Sequence, residues 1–385
     1  MRDGFKIIDC DRHVVEPEDL WDRYLEAPFK HYGVKGSKFS MQTTIGGKQT
    51  SGRLNQNFYD LGPQIVTTQQ GFARDPIWRR KFKNGIIHNF DSQSYLADMD
   101  QEGVDVAVCF SGIGLYATWS NELDPDLSAA MCRAYNNWLY DFIQNDPERL
   151  KGVCLLPFQD LNLAATELRR CATELGMCGI FWRPNPHMGR LLSDSAFDPI
   201  FSIAEAHNIN VSVHEGIQRI LPAFAADRVE TRFAQHATCH PMEQMGAILA
   251  MISGGVFDRF PGLTASYLES GAGWLPYWME RLDSLHSNPF FSEDYQGTHK
   301  PSVYVDRQQV FVSCEGAEGS LATISRVLSE DCVMWASDYP HPDAMVDSPN
   351  GVNRLVRTGH ISKDFIRKIL WDNPAKCFHI GKPAQ

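Results

Sequence analysis

Two kinds of apolar pattern succeed one another along most of the chain, and together they predict strands followed by helices. Residues 5–8 form a short, mostly apolar run, which suits a buried strand. Residues 127–143 place apolar side chains three and four positions apart, which is typical of an amphipathic helix. This succession continues to Trp371 and gives eight predicted strands, at residues 5–8, 104–110, 152–156, 179–182, 210–213, 263–268, 310–313 and 332–336.

The eight strand–helix units decide the expected fold. Strands that alternate with helices imply a parallel sheet. When eight such units close on themselves they form a TIM barrel, in which the chemistry lies at the carboxyl ends of the strands. We therefore expect an α/β fold, a distorted (β/α)8 TIM barrel built from residues 1–16 and 92–385. A doubly wound open sheet is the alternative.

Residues 17–91 interrupt the pattern after the first strand, and the segment is too long for a plain loop. Its residues alternate around Gly46-Gly47, which predicts a hairpin. It carries 11 Lys and Arg against 7 Asp and Glu, a net charge of +4 in a chain of net charge −11. Its basic residues cluster at Arg74, Arg79, Arg80, Lys81 and Lys83. We expect an insertion that forms a lid over the active-site face and attracts an anionic small-molecule substrate. A solvated basic surface is the alternative.

Composition and charge exclude several classes of protein. The net charge of −11 argues against a general nucleic-acid binder. No apolar run approaches the roughly 18 residues of a membrane span. The N-terminus has charges where a secretion signal needs its apolar stretch, so we expect a cytoplasmic protein. The ten cysteines include no CxxC pair, and those within apolar runs are predicted to be buried small hydrophobes.

Polar side chains follow the predicted strands at the point where each strand ends. Asp11 and His13 follow the first strand, His214 the fifth, Glu269 the sixth and Asp338 the eighth. On a closed barrel these positions lie around one rim, and Asp11 and His13 project together because they are two residues apart. Carboxylates and imidazoles in such a cluster can hold a divalent metal. Each residue alone also has an ordinary interpretation, a hydrogen-bonded histidine or a capping aspartate.

Two further histidines follow the fifth strand. His236 and His240 have the i, i+4 spacing of a metal-binding helix face. However, a helix is predicted from Pro241 to Ile252 with the proline in its first turn, and Pro241 is expected to push His240 out of helical geometry. His240 remains a candidate second-metal ligand or acid–base group, with hydrogen bonding at a helix entry as the alternative. Glu16 and His341 are weaker candidates, and Glu16 could support a ligand through a hydrogen bond.

Several segments in succession resemble one known family. They read IDCDRHVVEP, NVSVHEG, GGVFDRFPGLTASYLESGAGWLPYWMERLD, KPSVYVDRQQVFVSCE, ASDYPHPD and KILWDNPAKCF. In this order they are similar to the amidohydrolase superfamily, in particular its amidohydrolase-related branch of metal-dependent hydrolases and decarboxylases. The resemblance implies a distorted barrel with a metal at its carboxyl end, held by Asp11, His13, His214 and Asp338.

Two departures from the family pattern bear on function. The usual first-strand motif is His-x-His, whereas this chain has Asp11-x-His13, and the harder carboxylate makes Mn or Fe plausible beside Zn. Decarboxylases of the branch carry a catalytic histidine at the end of the sixth strand, where this chain has Glu269. A glutamate can ligate a metal or act as a base, but it does not supply a cation, which argues against decarboxylation.

The number of candidate ligands favours hydrolysis. The candidates are Asp11, His13, His214, Glu269, His240 and Asp338, more than one catalytic metal needs. Two ions would activate water, so we expect a hydrolase of an ester, amide or thioester, such as an acyl-coenzyme A thioester. Asp338 or Glu269 would take the proton of the attacking water, and His240 or a metal would stabilise the oxyanion. A mononuclear decarboxylase of an aromatic or unsaturated carboxylate is the alternative, and a non-catalytic relative is a third hypothesis. We also expect a homo-oligomer.

Overall fold

A computed structural model describes most of the chain. The described residues are 1–17, 19–32, 39–45, 48–55, 58–60, 65–67, 80–112, 121, 123–215, 223–225, 227–316, 318–341 and 351–381. The strands, in chain order, are β1 (Ile8–His13), β2 (Phe39–Ile45), β3 (Lys48–Asn55), β4 (Phe58–Asp60), β5 (Ile65–Thr67), β6 (Val106–Phe110), β7 (Leu150–Cys154), β8 (Gly179–Trp182), β9 (Asn210–His214), β10 (Ala265–Leu268), β11 (Val310–Cys314) and β12 (Val333–Trp335).

The helices are mostly short and lie between these strands. The α-helices are Leu20–Tyr24, Lys83–Ile87, Ser92–Glu102, Pro125–Ile143, Leu161–Thr173, Asp198–Ala206, Arg232–Ser253, Val256–Arg259, Leu275–His286, Pro289–Ser292, Pro301–Asp306, Leu321–Val327, Gly351–Arg357, Lys363–Arg367 and Asn373–Cys377. Within the described residues, none of them combines the length and the apolar character that a membrane span requires.

Eight strands form one parallel sheet in the order β1-β6-β7-β8-β9-β10-β11-β12. Neighbouring strands keep a regular register, as where Ile180 of β8 lies opposite Val211 of β9. The sheet closes where Arg12 of β1 forms a parallel bridge with Tyr339, just beyond β12. Because a helix follows each strand, the predicted (β/α)8 TIM barrel is confirmed and the open sheet is excluded.

The barrel strands are apolar runs because both of their faces are buried. β6 reads Val-Ala-Val-Cys-Phe, β11 reads Val-Phe-Val-Ser-Cys, and every residue in both is buried. Cys109 and Cys314 are among the buried free thiols, as are Cys154 and Cys332. Their predicted role as small hydrophobes in the core is therefore confirmed.

The first strand is longer than its apolar pattern indicates. β1 continues past residue 8 to His13, and all six of its residues are buried. Its register against β6 shifts between Asp9 and Arg12. The apolar pattern stops at Asp9 because it counts only hydrophobic positions, whereas backbone pairing continues through polar ones. The candidate ligands on β1 consequently lie within a strand, where their direction is fixed.

The helix after β9 departs most from the sequence prediction. Arg232–Ser253 is continuous, with Pro241 inside it and Thr231 capping its N-terminus, whereas the pattern predicts a helix that starts at Pro241. The expected displacement of His240 is wrong, because the rings of His236 and His240 stack with centroids 4.3 Å apart and 8° between their planes. A proline inside a helix costs about 3 kcal/mol, and tertiary packing around the buried His240 outweighs this.

The insertion contains a second sheet. Strands β2, β3, β4 and β5 pair in antiparallel order. Ile45 lies opposite Lys48 across the β2–β3 connection, so the predicted hairpin is confirmed. Arg74 and Arg79 of the basic cluster lie outside the described residues. The position of the insertion over the active-site face therefore remains a prediction.

Candidate metal centre

Asp11 and His13 project from β1 to the same side, as the strand period predicts. His13 Nε2 lies 3.4 Å from Asp11 Oδ1, and both side chains are buried. His13 Nδ1 lies 2.8 Å from the carbonyl oxygen of Ser111. A hydrogen donated to that carbonyl from Nδ1 leaves the Nε2 lone pair facing the carboxylate. Burial, with His341 and His214 nearby, lowers the pKa of His13 well below its usual value. The hydrogen bond to the Ser111 carbonyl acts on this pKa in the opposite sense.

His214 ends β9 and faces the same point from the fifth barrel strand. Its Nε2 lies 3.0 Å from Asp11 Oδ2. Its ring meets the His13 ring edge-on, with centroids 5.0 Å apart. Its Nδ1 lies 2.5 Å from the carbonyl oxygen of Glu215, so this histidine too can donate to backbone and direct Nε2 at the acid.

Asp338 reaches the cluster from the opposite end of the chain. Its Oδ1 lies 3.3 Å from His13 Nε2 and 3.0 Å from His341 Nδ1. The His341 ring stacks on the His13 ring, with centroids 3.9 Å apart. The backbone N–H of Asp338 donates to the carbonyl of Asp11 at 3.0 Å. Closure of the barrel thus brings the first and last strands into one site.

The donor atoms of Asp11, His13 and His214 fit a divalent cation. Both Asp11 carboxylate oxygens and the Nε2 atoms of the two histidines are buried, and within the described residues they have no hydrogen-bond partner. Such orphaned polar atoms are costly, so a native cluster of them needs an explanation. One donor atom from each residue lies within 4.8 Å of the others, as also holds for His13, Asp338 and His341. Oxygen and imidazole donors in this arrangement suit a first-row transition metal.

Glu269, His240 and His236 form a second group beside the first. Glu269 Oε2 lies 3.4 Å from His240 Nδ1 and 3.7 Å from His214 Nδ1. His240 Nδ1 also contacts the carbonyl oxygen of Glu269 at 2.9 Å. Donor atoms of the three residues lie within 4.8 Å of one another. The structure therefore gathers all six predicted site residues on one rim, in two adjacent groups that meet between His214 and Glu269.

Asp338 and Glu269 share an unusual backbone conformation. Their φ angles are +50° and +57°, in the left-handed region that residues with a Cβ avoid at a cost of about 1 kcal/mol or more. The N–H of Glu269 donates to Ser313 Oγ at 3.1 Å, which helps to hold its turn. Strain of this kind is found where a side chain must be aimed at a site.

Glu16 supports His13 through an intermediate residue. Its Oε1 accepts hydrogen bonds from Ser111 Oγ at 2.8 Å and from the N–H of Gly112 at 3.0 Å. Ser111 in turn offers its carbonyl to His13. A Cβ at Gly112 would lie 2.8 Å from the Val14 carbonyl oxygen, so only glycine fits this close approach. Glu16 therefore supports a candidate ligand through Ser111.

Glu318, which sequence reasoning missed, anchors the loop that follows Glu269. Its carboxylate accepts N–H groups from Ala272 at 3.0 Å and Gly273 at 3.2 Å. Burial raises the pKa of Glu318. Gly271 has φ +66°, and a Cβ there would lie 3.3 Å from Glu318 Oε1. The glycines of the ESGAGW segment therefore let the backbone approach a half-buried carboxylate closely.

Arg183 is a buried cation beside the site that sequence reasoning also missed. Trp182 faces Val213 in the β8–β9 register, so Arg183 lies level with His214. Its guanidinium donates to Asn121 Oδ1 at 2.8 Å. Burial lowers the pKa of Arg183 to about 10, which leaves it charged at neutral pH. Its place directly after a barrel strand is the signal that could have found it.

A TIM barrel whose carboxyl rim gathers an Asp-x-His pair, a further histidine and an aspartate defines a class of metal-dependent enzymes. The amidohydrolase family model matches residues 8–380, nearly the whole chain. The protein belongs to the amidohydrolase family.

Curated relatives give more detail. A 2-amino-3-carboxymuconate-6-semialdehyde decarboxylase of Dictyostelium discoideum is 26% identical over 272 residues, covering 68% of this chain and 70% of that protein. A gamma-resorcylate decarboxylase of Polaromonas sp. is 25% identical over 333 residues, covering 83% and 96%. A 2-keto-4-carboxy-3-hexenedioate hydratase of Sphingobium sp. is 26% identical over 171 residues, covering 42% and 46%.

A solved structure supports the fold. The dihydroxybenzoic acid decarboxylase of Polaromonas sp., with bound manganese and the inhibitor 2-nitroresorcinol, superimposes with a TM-score of 0.66. The alignment covers 98% of both chains at 18% identity.

The predicted hydrolysis of an ester, amide or thioester is wrong. The two relatives that match over two thirds or more of this chain are decarboxylases, which corresponds to the alternative reaction. The prediction counted Glu269 and His240 as surplus ligands that implied a water-activating pair of metals. In the structure these two residues contact each other beside the Asp11 cluster, so their presence does not require hydrolysis. The interpretation of Glu269 as evidence against decarboxylation fails with it.

Proposed function

We propose that this protein is a metal-dependent decarboxylase of an aromatic or unsaturated carboxylate. The observation that carries the proposal is the buried group of Asp11, His13 and His214, with Asp338 beside it. The similarity of the chain to decarboxylases over most of its length supports this choice of reaction.

We propose one divalent cation per chain, held by Asp11, His13, His214 and Asp338. Two of these four ligands are carboxylates, and such hard donors suit manganese, the metal bound in the related dihydroxybenzoic acid decarboxylase. When bound, the cation would polarise the carboxylate or phenolic oxygens of the substrate. A second cation at Glu269 and His240 is the alternative, and the metal content per chain decides between them.

Decarboxylation breaks the bond between a substrate carbon and its carboxylate, releases CO2 and leaves an electron pair that must take a proton. We propose Glu269 Oε2 as the proton donor, since a carboxylic acid can act as a general acid. His240 Nδ1, 3.4 Å away, would return a proton to it. Asp338, predicted from sequence as the general base, is proposed here to hold the cation and to orient His341 through its Oδ1.

Arg183 is proposed to attract the substrate. A charged guanidinium that is almost fully buried exerts a stronger field than one in water, because the surrounding dielectric is low. Its position level with His214 places that field beside the candidate metal ligands. Glu215 lies close enough to raise the pKa of Arg183, so the substrate carboxylate would bind as a second anion beside this pair.

The test compares metal-loaded and metal-stripped protein on gamma-resorcylate and 2-amino-3-carboxymuconate-6-semialdehyde, the substrates named for two relatives. We expect the manganese-loaded protein to release one CO2 per substrate consumed and the stripped protein to be inactive until manganese is restored. Elemental analysis of the active protein should give about one metal per chain. CO2 release that survives complete stripping would contradict the proposal.

Hydration of an unsaturated carboxylate is a second candidate, which Glu269 favours. A carboxylate at this position can take a proton from water, and one relative is a hydratase. Loss of the absorbance of a conjugated enoic acid without CO2 release would favour hydration over decarboxylation.

A further inference from the structure

The seam between the first and last barrel strands differs from the other seams of the sheet. Neighbouring strands of the barrel sheet, in the order β1-β6-β7-β8-β9-β10-β11-β12, form at least two registered residue pairs, as β9 and β10 do. Between β12 and β1, the described residues form an isolated bridge, Arg12 with Tyr339. The candidate metal group nevertheless takes Asp11 and His13 from one side of this seam and Asp338 from the other. Two backbone hydrogen bonds cross this seam, from Asp338 N–H to the Asp11 carbonyl at 3.0 Å and from His13 N–H to the Tyr339 carbonyl at 2.6 Å, and side-chain contacts add to them.

Asp9 accepts two hydrogen bonds from Ser337, the residue that precedes Asp338. Its Oδ1 accepts the backbone N–H of Ser337 at 2.9 Å, and its Oδ2 accepts the Ser337 hydroxyl at 2.5 Å. The same hydroxyl accepts the N–H of Tyr339 at 3.0 Å. Residues on both sides of Asp338 are thus tied, through one serine oxygen, to a fully buried carboxylate on β1.

Arg12 and Tyr339 pack beside the contact between Asp9 and Ser337. The guanidinium lies 3.8 Å from the centroid of the Tyr339 ring and donates to Glu102 at 2.6 Å and to Asp9 at 3.3 Å. The Tyr339 hydroxyl donates to Asp98 at 2.6 Å. Buried charges of this kind add little to stability compared with apolar packing, and they are better suited to fixing one specific arrangement.

We propose that Asp9 and Ser337 form a clamp that positions Asp338 against Asp11 and His13 and thereby sets the affinity of the site for its cation. Partners that orient a metal ligand typically change metal affinity by about 10- to 100-fold when they are removed. The inference rests on the proposed metal site, but it does not depend on which reaction the site catalyses.

The test is Ser337→Ala, with Ser266→Ala as a matched control. Ser266 is a buried serine on β10 whose hydroxyl donates to Asn210 Oδ1 at 2.7 Å inside the same barrel. Each substitution removes one hydroxyl donor, from a half-buried serine at 337 and a buried serine at 266, but only Ser337 lies beside a candidate ligand. The dissociation constant for Mn2+ is measured by chelator competition, and the unfolding of the metal-free proteins is measured alongside.

We expect Ser337→Ala to weaken Mn2+ binding by about 10-fold or more, and Ser266→Ala to leave it within about twofold, although both lose stability. Ser337→Thr, which keeps the hydroxyl, should restore binding to nearly the wild-type value. If Ser337→Ala does not fold, Ser337→Cys makes the same test, because a thiol is a much weaker hydrogen-bond donor and acceptor than a hydroxyl, and it should weaken Mn2+ binding in the same direction.

Wild-type Mn2+ affinity in Ser337→Ala, or an equal loss in Ser266→Ala, would overturn the clamp and leave the metal site standing. Failure of the wild-type protein to bind any divalent transition metal would overturn the proposed site itself, and the clamp with it.

Discussion

The two groups that make up the site are held in place by different physical means. Asp11, His13 and His214 lie within barrel strands, and the pairing of His13 with Phe110 and of His214 with Leu268 fixes the direction of the two histidines. Glu269 follows its strand in a left-handed turn, and His240 depends on a helix that continues through a proline. A ligand within a strand is therefore specified by its position in the barrel, whereas the second group is specified by packing that no local pattern encodes.

The largest expected effect is that of Asp338→Asn, which removes a carboxylate from the first group. We expect Mn2+ binding and decarboxylation to fall by about 1000-fold, roughly 4 kcal/mol, because the amide cannot replace a charged ligand. Asp258→Asn is the control, since Asp258 accepts hydrogen bonds from Thr298 and Tyr304 away from the rim. That variant should lose stability but bind Mn2+ normally. Wild-type affinity in Asp338→Asn would remove Asp338 from the metal group.

Glu269→Gln tests whether the two groups are chemically distinct. If Glu269 is the proton donor beside the metal group, its replacement should lower the rate of CO2 release by about 100-fold. A loss of this size is typical for an acid–base residue. Mn2+ binding should stay within about threefold, because glutamine preserves the shape of the side chain. If metal content falls as steeply as turnover, Glu269 is a ligand, and the two groups form one site.

The same contrast explains which features could be predicted from sequence. The barrel and the gathering of Asp11, His214 and Asp338 followed from apolar periodicity, because the carboxyl ends of parallel strands share one rim. The helix through Pro241 could not be predicted, because the local proline rule is outweighed by tertiary packing around His240. The clamp at Ser337 could not be predicted either, because it joins residues from opposite ends of the chain.

His187, a buried histidine outside both groups, should make the stability of the protein depend on pH. His187 packs on Phe158, with ring centroids 4.3 Å apart. Burial, and Arg183 nearby, lower its pKa well below the usual value. The unfolded chain therefore binds a proton below about pH 6.5 that the folded protein does not, so stability falls as the pH falls. The loss of stability from this residue should grow as the pH falls from 7 to 5.

His187→Phe should remove that part of the pH dependence. The measurement is the free energy of unfolding of both metal-free proteins at pH 5, 6 and 7. We expect the difference between variant and wild type to grow in favour of the variant as the pH falls. A difference that stays constant across this range would mean that His187 does not account for the acid sensitivity.

The smallest expected effect is that of Pro241→Ala, which tests whether the helix that carries His236 and His240 is continuous. If Arg232–Ser253 is one helix, Pro241→Ala removes a helix cost of about 3 kcal/mol. The greater freedom of the unfolded alanine chain and the loss of ring packing offset part of this, so the free energy of unfolding should rise by about 1 kcal/mol. If a helix instead began at Pro241, proline would occupy its preferred first-turn position, and alanine would lower that free energy. Pro276→Ala is the matched control, because Pro276 stands in the first turn of Leu275–His286 and should show this opposite sign. Equal destabilisation by both substitutions would contradict the continuous helix and, with it, the stacking of His236 on His240 that completes the second group.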